Sequence, residues 1–186
     1  MSRPDRYYSV DEYLAMEAQS DVRHEYLHGT IIPMPGGTLD HNQIAVNLQR
    51  AFDAVNELGC WAYIVDVRIT MPSGLYTYPD VVAICGSPQK LPGKYTTVTN
   101  PIVIGDVLSP DTAAYDRGKK FELYKSLATF RDYILIDQYA IAVEHRWRKR
   151  DRWQAAHWKK GEAFRLTGLP LTIEVDALYR AVTIPA

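Results

Sequence analysis

The sequence predicts a mixed fold of the α/β (α+β) class, built as a single domain over residues 1–186. The chain is 47% hydrophobic and 23% charged, which are ordinary proportions for a globular protein, and its length suits one domain. Some segments repeat hydrophobic residues every three or four positions, as helices do, and others form short apolar runs, as strands do. Because the two kinds of segment alternate along the chain, we expect a mixed sheet flanked by helices.

Three helices are predicted from capping residues and periodicity. Ser9 and Glu12 have the spacing of a capping box, so a short helix should run from there to about Ala18. A longer helix should begin after Thr38 and end at Gly59. The third is predicted over 112–127. The apolar face of the second helix consists of Ile44, Leu48, Phe52, Val55 and Leu58. That of the third helix consists of Tyr115, Phe121, Tyr124 and Leu127.

Strands are predicted where short apolar or alternating runs lie between turn-forming residues. They comprise a pair around a turn at Gly29 and segments 61–70, 78–85, 102–108, 133–137, 141–147, 152–158 and 169–175. Residues 86–100 are expected to form a loop. Within 141–147, the odd-numbered side chains should face the core, and Ala142, Glu144 and Arg146 should face solvent.

Composition limits the environment and the partners of the protein. The net charge is −1, so any affinity for nucleic acid or anionic membranes must come from a local patch. Cys60 and Cys85 lie in apolar surroundings and are expected to be buried free thiols. The polar N-terminus and the lack of an apolar run near 20 residues predict a cytoplasmic protein with no membrane partner.

Two aspartates occupy positions where carboxylates are unexpected. Asp80 opens a strand directly after Pro79, and Asp106 interrupts the apolar strand 102–108. A carboxylate in a core strand costs several kcal/mol unless it is paired or bound to a cation. If the two strands are neighbours, both carboxylates lie at one edge of the sheet. Mg²⁺ suits such a pair because it takes one or two carboxylates plus waters.

A lysine is the alternative source of positive charge. Lys120 follows Asp116 by four residues and precedes apolar Phe121, so it can reach back over the strand end, whereas Lys119 is expected to point outward. Glu25, at the junction of a helix and a strand, is a further candidate acid. Taken alone, Asp80 would be an ordinary strand-entry residue, and Lys120 and Glu25 ordinary charged residues. Asp106 has a stronger case because its neighbours are apolar, and the combination indicates a site.

The combination resembles the PD-(D/E)XK nuclease superfamily and, more closely, the Uma-two family of restriction-endonuclease-like proteins. The likeness covers almost the whole chain. The matching segments are Tyr26-Leu27-His28-Gly29-Thr30-Ile31-Ile32-Pro33-Met34, His41, Tyr78-Pro79-Asp80-Val81-Val82, Asp106-Val107-Leu108-Ser109-Pro110-Asp111-Thr112, Tyr115-Asp116-Arg117-Gly118-Lys119-Lys120 and Tyr133-Ile134-Leu135-Ile136-Asp137.

The resemblance implies a restriction-endonuclease-like core that hydrolyses DNA with Mg²⁺ or Mn²⁺. It implies a divalent metal on Asp80 and Asp106, Lys120 as the catalytic cation, and Glu25 as an accessory acid. It also places a histidine at His41, which either assists the metal site, holds a phosphate, or simply bonds nearby backbone. The family usually has glutamate where Asp106 stands.

The superfamily lysine normally lies two residues after that acid. Here that position is Leu108, so the lysine must come from the helix.

Other interpretations stay open. The same fold could serve as an inactive DNA-binding or dimerising module, or the chain could bind a small molecule. A homodimer is compatible with cutting both strands of a duplex. The segment Arg146–Trp153 has five basic residues and two tryptophans, and we interpret it as a solvated hairpin turn, with nucleic-acid binding as the alternative.

Overall fold

The structure is a computed structural model that describes residues 6–34, 36–64, 66–92 and 94–184. It confirms the mixed α+β class. Two six-stranded sheets and a two-stranded sheet are combined with short helices. In the described part of the chain, no helix is both long and apolar enough to cross a membrane.

The first sheet is built around the N-terminal hairpin. Helix α1 (Val10–Glu17) has the predicted capping box and leads into β1 (His24–Leu27) and β2 (Thr30–Pro33). The turn between them needs the left-handed backbone at His28 and Gly29, with φ of 49° and 90°. The other strands of this sheet, in the order β2-β1-β5-β4-β8-β7, are β4 (Arg68–Thr70), β5 (Leu75–Thr77), β7 (Lys90–Leu91) and β8 (Lys94–Val98).

The second sheet, here called the central sheet, has the order β12-β11-β10-β9-β6-β3. All six residues of β9 (Val103–Leu108) are buried, as expected for an apolar central strand, and β9 pairs in parallel with β10 (Asp132–Asp137). The strands are β3 (Cys60–Ile64), β6 (Val81–Cys85), β9 (Val103–Leu108), β10 (Asp132–Asp137), β11 (Ala142–Lys149) and β12 (Arg152–Lys159).

Two hydrophobic cores lie on opposite faces of the central sheet. Helix α2 (Leu39–Ala51) packs on one face, together with the C-terminal hairpin β13 (Ala163–Arg165) and β14 (Thr172–Glu174) and helix α5 (Val175–Leu178). Close packing of α2 depends on Gly105, because a Cβ atom there would lie 2.4 Å from Leu48 Cδ2. The first sheet and the segment after β9 cover the other face.

The third predicted helix is not regular. It consists of α3 (Ala113–Tyr115), a π-helical turn (Asp116–Lys120) and α4 (Phe121–Tyr124). The second predicted helix also changes character, since a 3₁₀ helix (Phe52–Leu58) follows α2 before the left-handed Gly59. Such π turns occur often at functional sites, and this one contains two buried charged residues.

Several expectations from the sequence were wrong. Segment 61–70 is two strands in different sheets, and the expected loop 86–100 contains β7 and β8. Glu144 is buried, not solvent-facing, because the π turn covers that face of β11. Cys60 and Cys85 are not free thiols: they face each other across β3 and β6 with Cα atoms 4.0 Å apart and form a disulfide.

Candidate functional site

Asp80 and Asp106 meet at the junction of β6 and β9. The antiparallel register pairs Val81 with Gly105, which places Asp80 just before β6 beside Asp106 in β9. The Asp80 N–H lies 3.4 Å from Asp106 Oδ1, and the Val107 N–H donates to Asp80 Oδ2 at 2.7 Å. The Asp80 side chain is about one-quarter exposed, so it is the more accessible of the two carboxylates.

Asp106 is a buried carboxylate held by aromatic hydroxyls. Tyr133 donates to Asp106 Oδ2 at 2.6 Å, and the Tyr124 hydroxyl lies 3.4 Å from the same oxygen. Burial raises the pKa of Asp106 to about 7; Lys120 opposes that rise, and the nearby charges of Asp116 and Asp80 add to it. In the metal-free protein, Asp106 therefore changes its charge near neutral pH.

Lys120 is buried among three carboxylates. Its Nζ lies 3.2 Å from Glu25 Oε1, 3.3 Å from Asp116 Oδ1 and 3.7 Å from Asp106 Oδ2. Burial alone would lower the pKa of Lys120, but the surrounding carboxylates outweigh it and hold that pKa well above its usual value. Lys119 is exposed, so the π turn brings Lys120 rather than Lys119 to the carboxylates.

Glu25 reaches the same cluster from the first sheet. It is buried in β1, and the Thr77 hydroxyl of β5 donates to its Oε1 at 2.5 Å. The hydroxyl of Tyr115 lies in the same neighbourhood, where burial and the charge of Glu25 raise the pKa of Tyr115. Among the described residues this buried hydroxyl has no hydrogen-bond partner at bonding distance.

His41 approaches Asp80 from the opposite face of the sheet. It lies in the first turn of α2, and its Nε2 is 3.3 Å from Asp80 Oδ2. Burial alone would lower the pKa of His41, but the hydrogen bond and charge of Asp80 raise it overall. Its Nδ1 is buried without a partner in the part of the chain that the structure describes. The contact of His41 with Asp80 is thus that of an ion pair, and the raised pKa favours the charged form of His41.

The cluster has more negative than positive charge. It contains four carboxylates and one lysine: Glu25, Asp106 and Asp116 contact Lys120, and Asp80 adjoins Asp106. The charges of Asp116 and Asp80 contribute to the raised pKa of Asp106. A divalent cation would relieve the repulsion, and carboxylate oxygens are the ligands Mg²⁺ prefers. No group of three His, Cys, Asp or Glu side chains among the described residues is arranged to hold a metal. Asp80 and Asp106 are the adjoining pair of carboxylates in this cluster that could serve as ligands of such a cation.

The structure thus brings Glu25, Asp80, Asp106, Lys120 and His41 into one cluster. The sequence did not identify Asp116, Tyr133 and Tyr124 as members. The four-residue spacing of Asp116 and Lys120 was a signal for the first. Nothing in the sequence distinguished the two tyrosines from ordinary core residues, because their contact with Asp106 depends on the sheet register and the helix packing.

Comparison with known proteins agrees with this architecture. A crystal structure described as a putative nuclease belonging to DUF820 from Anabaena variabilis has a TM-score of 0.75. The match covers 93% of this chain and 98% of that chain, at 19% identity. That level of identity shows a shared fold. By its fold, the chain is thus an α+β protein of the same architecture as that structure.

The family is given by sequence. The model of the Uma2 family, described as a putative restriction endonuclease, matches residues 10–177, so the chain belongs to that family. Two uncharacterized proteins of Synechocystis are related to it. The protein sll1609 is 36% identical over 145 residues, covering 76% of this chain and 81% of its own length. The protein slr1290 is 30% identical over 184 residues, covering 97% and 96%.

Proposed function

We propose that the protein is a nuclease that hydrolyses phosphodiester bonds of DNA with Mg²⁺ or Mn²⁺. The observation that supports this most is the buried cluster in which Asp80 and Asp106 adjoin each other beside Lys120. Membership of a family described as a putative restriction endonuclease supports the same class of reaction. The reaction suits this cluster because phosphodiester hydrolysis needs an activated water and positive charge near the phosphate.

Asp80 and Asp106 would hold the metal, which when bound lowers the pKa of a water and offsets charge on the phosphate. The chain itself fixes these carboxylates. The Val107 N–H and His41 orient Asp80, and Tyr133 orients Asp106.

Lys120 supplies a fixed positive charge. It stays protonated through the neutral range because its carboxylate neighbours raise its pKa. Placed beside Asp106, its ammonium can bind a phosphate oxygen or orient a water. Glu25 and Asp116 hold this ammonium in place, and Thr77 in turn holds Glu25.

The first experiment is calorimetric titration of Mn²⁺ into the wild type, Asp80→Ala and Asp106→Ala. We expect binding by the wild type and loss in both variants, because each removes one of two carboxylate ligands. Asp21→Ala, at an exposed carboxylate without a side-chain hydrogen bond or ion pair among the described residues, is the matched control and should bind as the wild type does. Binding that survives both site substitutions would refute the metal assignment.

Cleavage is tested next on supercoiled plasmid with Mn²⁺. Asp80→Ala should abolish nicking while thermal unfolding shows an intact fold, since Asp80 lies at the partly exposed edge of the site. If the wild type does not bind Mn²⁺ and does not cut the plasmid, the alternative is an inactive nuclease-fold module that binds DNA or dimerises. The shorter carboxylate of Asp106, where the family usually has glutamate, is the observation that favours that alternative.

A further inference from the structure

The hairpin of β11 and β12 concentrates positive charge in one part of the molecule. Residues 146–160 contain seven basic residues and one acidic residue, a net charge of +6. The rest of the chain contains 14 basic and 21 acidic residues, a net charge of −7. Such segregation produces a local positive potential that the overall charge of −1 conceals.

The charge is greatest where the hairpin leaves the sheet. β10 pairs with β11 only as far as Trp147, and the last two residue pairs of the hairpin extend beyond it. Lys149, Arg150 and Arg152 are exposed there. Within the described ranges, none of the three forms an ion pair with a carboxylate. Their charge is therefore available to an external anion.

The three tryptophans of the hairpin are half-buried and each packs against a neighbouring ring; Trp147 lies 5.0 Å from the ring of His145. Trp153 packs against Phe121 and Phe130, with ring centroids 5.1 and 4.9 Å apart. Trp158 stacks on Phe164 at 6.0 Å. These rings are engaged in the packing of the sheet, whereas the exposed side chains at the tip, residues 149–152, are charged. Contacts that charged side chains make with a polyanion are made to its backbone and are independent of sequence.

We propose that the tip of this hairpin, Lys149, Arg150 and Arg152, binds the phosphate backbone of nucleic acid. The guanidinium groups of Arg150 and Arg152 match phosphate oxygens in a bidentate manner, which favours a phosphate polyanion. An anionic membrane surface is a poorer fit, because the tip residues 149–152 include no apolar side chain to insert. This inference rests on the proposed function in one respect. The hairpin charges point to a polymer of phosphate groups, and the proposed nuclease activity is the reason for choosing nucleic acid as that polymer.

The tip is distant from the carboxylate cluster. Leu135 pairs with both Asp106 and Glu144, so Glu144 lies in the same row of the sheet as Asp106. Arg150 is six residues further along the hairpin, about 20 Å at the rise of a strand. That length corresponds to about six base pairs of duplex. The hairpin is thus a second contact surface, separate from the proposed metal site.

The test is fluorescence anisotropy of a labelled 24-base-pair duplex in EDTA, between 50 and 200 mM salt, with the full chain. The variant has Lys149→Gln, Arg150→Gln and Arg152→Gln. The control has Arg50→Gln, Lys90→Gln and Arg180→Gln, which are exposed residues elsewhere and change the net charge equally. We expect the hairpin variant to bind about tenfold more weakly at 50 mM salt, with a salt slope smaller by about two to three. The control should bind within about twofold of the wild type.

Equal weakening in both variants would overturn the proposal, because only net charge would then matter. So would hairpin-dependent binding to phosphatidylglycerol vesicles without binding to the duplex. Arg150→Gly is a second variant that protects folding, since Arg150 has a left-handed φ of 55° that favours glycine. It should weaken duplex binding about two- to threefold. Since EDTA prevents metal binding, this result is independent of the Mn²⁺ titration that tests the nuclease proposal.

Discussion

Replacing Asp106 by asparagine should stabilise the metal-free protein, and the gain should grow with pH. The pKa of this carboxyl is raised to about 7 in the folded chain, from an ordinary value of 3.8, chiefly because it is buried. Between these two values the folded protein keeps a proton that the unfolded chain releases. Stability therefore falls as pH rises through this window, and the full cost is present above pH 7.

The size of this stability cost follows from the difference between the pKa of Asp106 in the folded and in the unfolded chain. A difference of about 3 pKa units corresponds to about 4 kcal/mol, as an upper limit. The amide introduced by the substitution would still accept the Tyr133 hydrogen bond, but it would lose the attraction that the carboxylate has to Lys120. We therefore expect Asp106→Asn to raise the free energy of unfolding by about 1–4 kcal/mol at pH 8 and by much less at pH 5.

Urea unfolding in EDTA at pH 5, 6, 7 and 8 measures this effect. Asp21→Asn, at an exposed carboxylate, is the control and should change the free energy by less than about 0.5 kcal/mol at every pH. A gain that does not vary with pH, or a loss of stability at pH 8, would contradict the reasoning about buried charge.

Three further predictions concern the lysines, the disulfide and the helix contact. Lys120→Met should abolish plasmid nicking, whereas Lys119→Met should keep the nicking rate within about threefold of the wild type, because Lys120 lies among the carboxylates and Lys119 is exposed. Equal effects of the two substitutions in a nicking assay would reject the assignment of Lys120. Replacing Cys60 and Cys85 together by serine should lower the free energy of unfolding by about 3 kcal/mol, since the disulfide closes a loop of 25 residues. Two free thiols in the unfolded wild type under non-reducing conditions would show that the disulfide does not form. Gly105→Ala should cost about 1–3 kcal/mol in urea unfolding because its Cβ would overlap the Leu48 side chain, and an unchanged midpoint would show that α2 can shift without cost.

Local sequence signals predicted the elements that depend on local chemistry. The capping box of Ser9 and Glu12 identified α1, and the apolar run around Asp106 identified β9. These features depend on residues within a few positions of each other, so they can be predicted from a single sequence. The family resemblance added the residues of the site, and the structure brings them together.

Features that depend on distant packing were not predictable in this way. Cys60 and Cys85 are neighbours only because β3 and β6 pair in one register. Glu144 is buried because Arg117 of the π turn and Arg146 of its own strand hold it, with distances of 3.0 and 2.6 Å. The alternation of residues in β11 identified two faces, but it did not show that both faces are covered.

The placement of the site between two separate cores has a consequence for its dynamics. His41 belongs to a helix anchored in one core, whereas Lys120 belongs to the π turn anchored in the other. Local opening of either side removes one member of the cluster while the remaining half stays folded. Hydrogen exchange should then report two opening free energies, one for the amides of α2 and one for those of 116–124. The fraction of molecules with a complete site is set by the product of the two closed populations, so loosening either face reduces it.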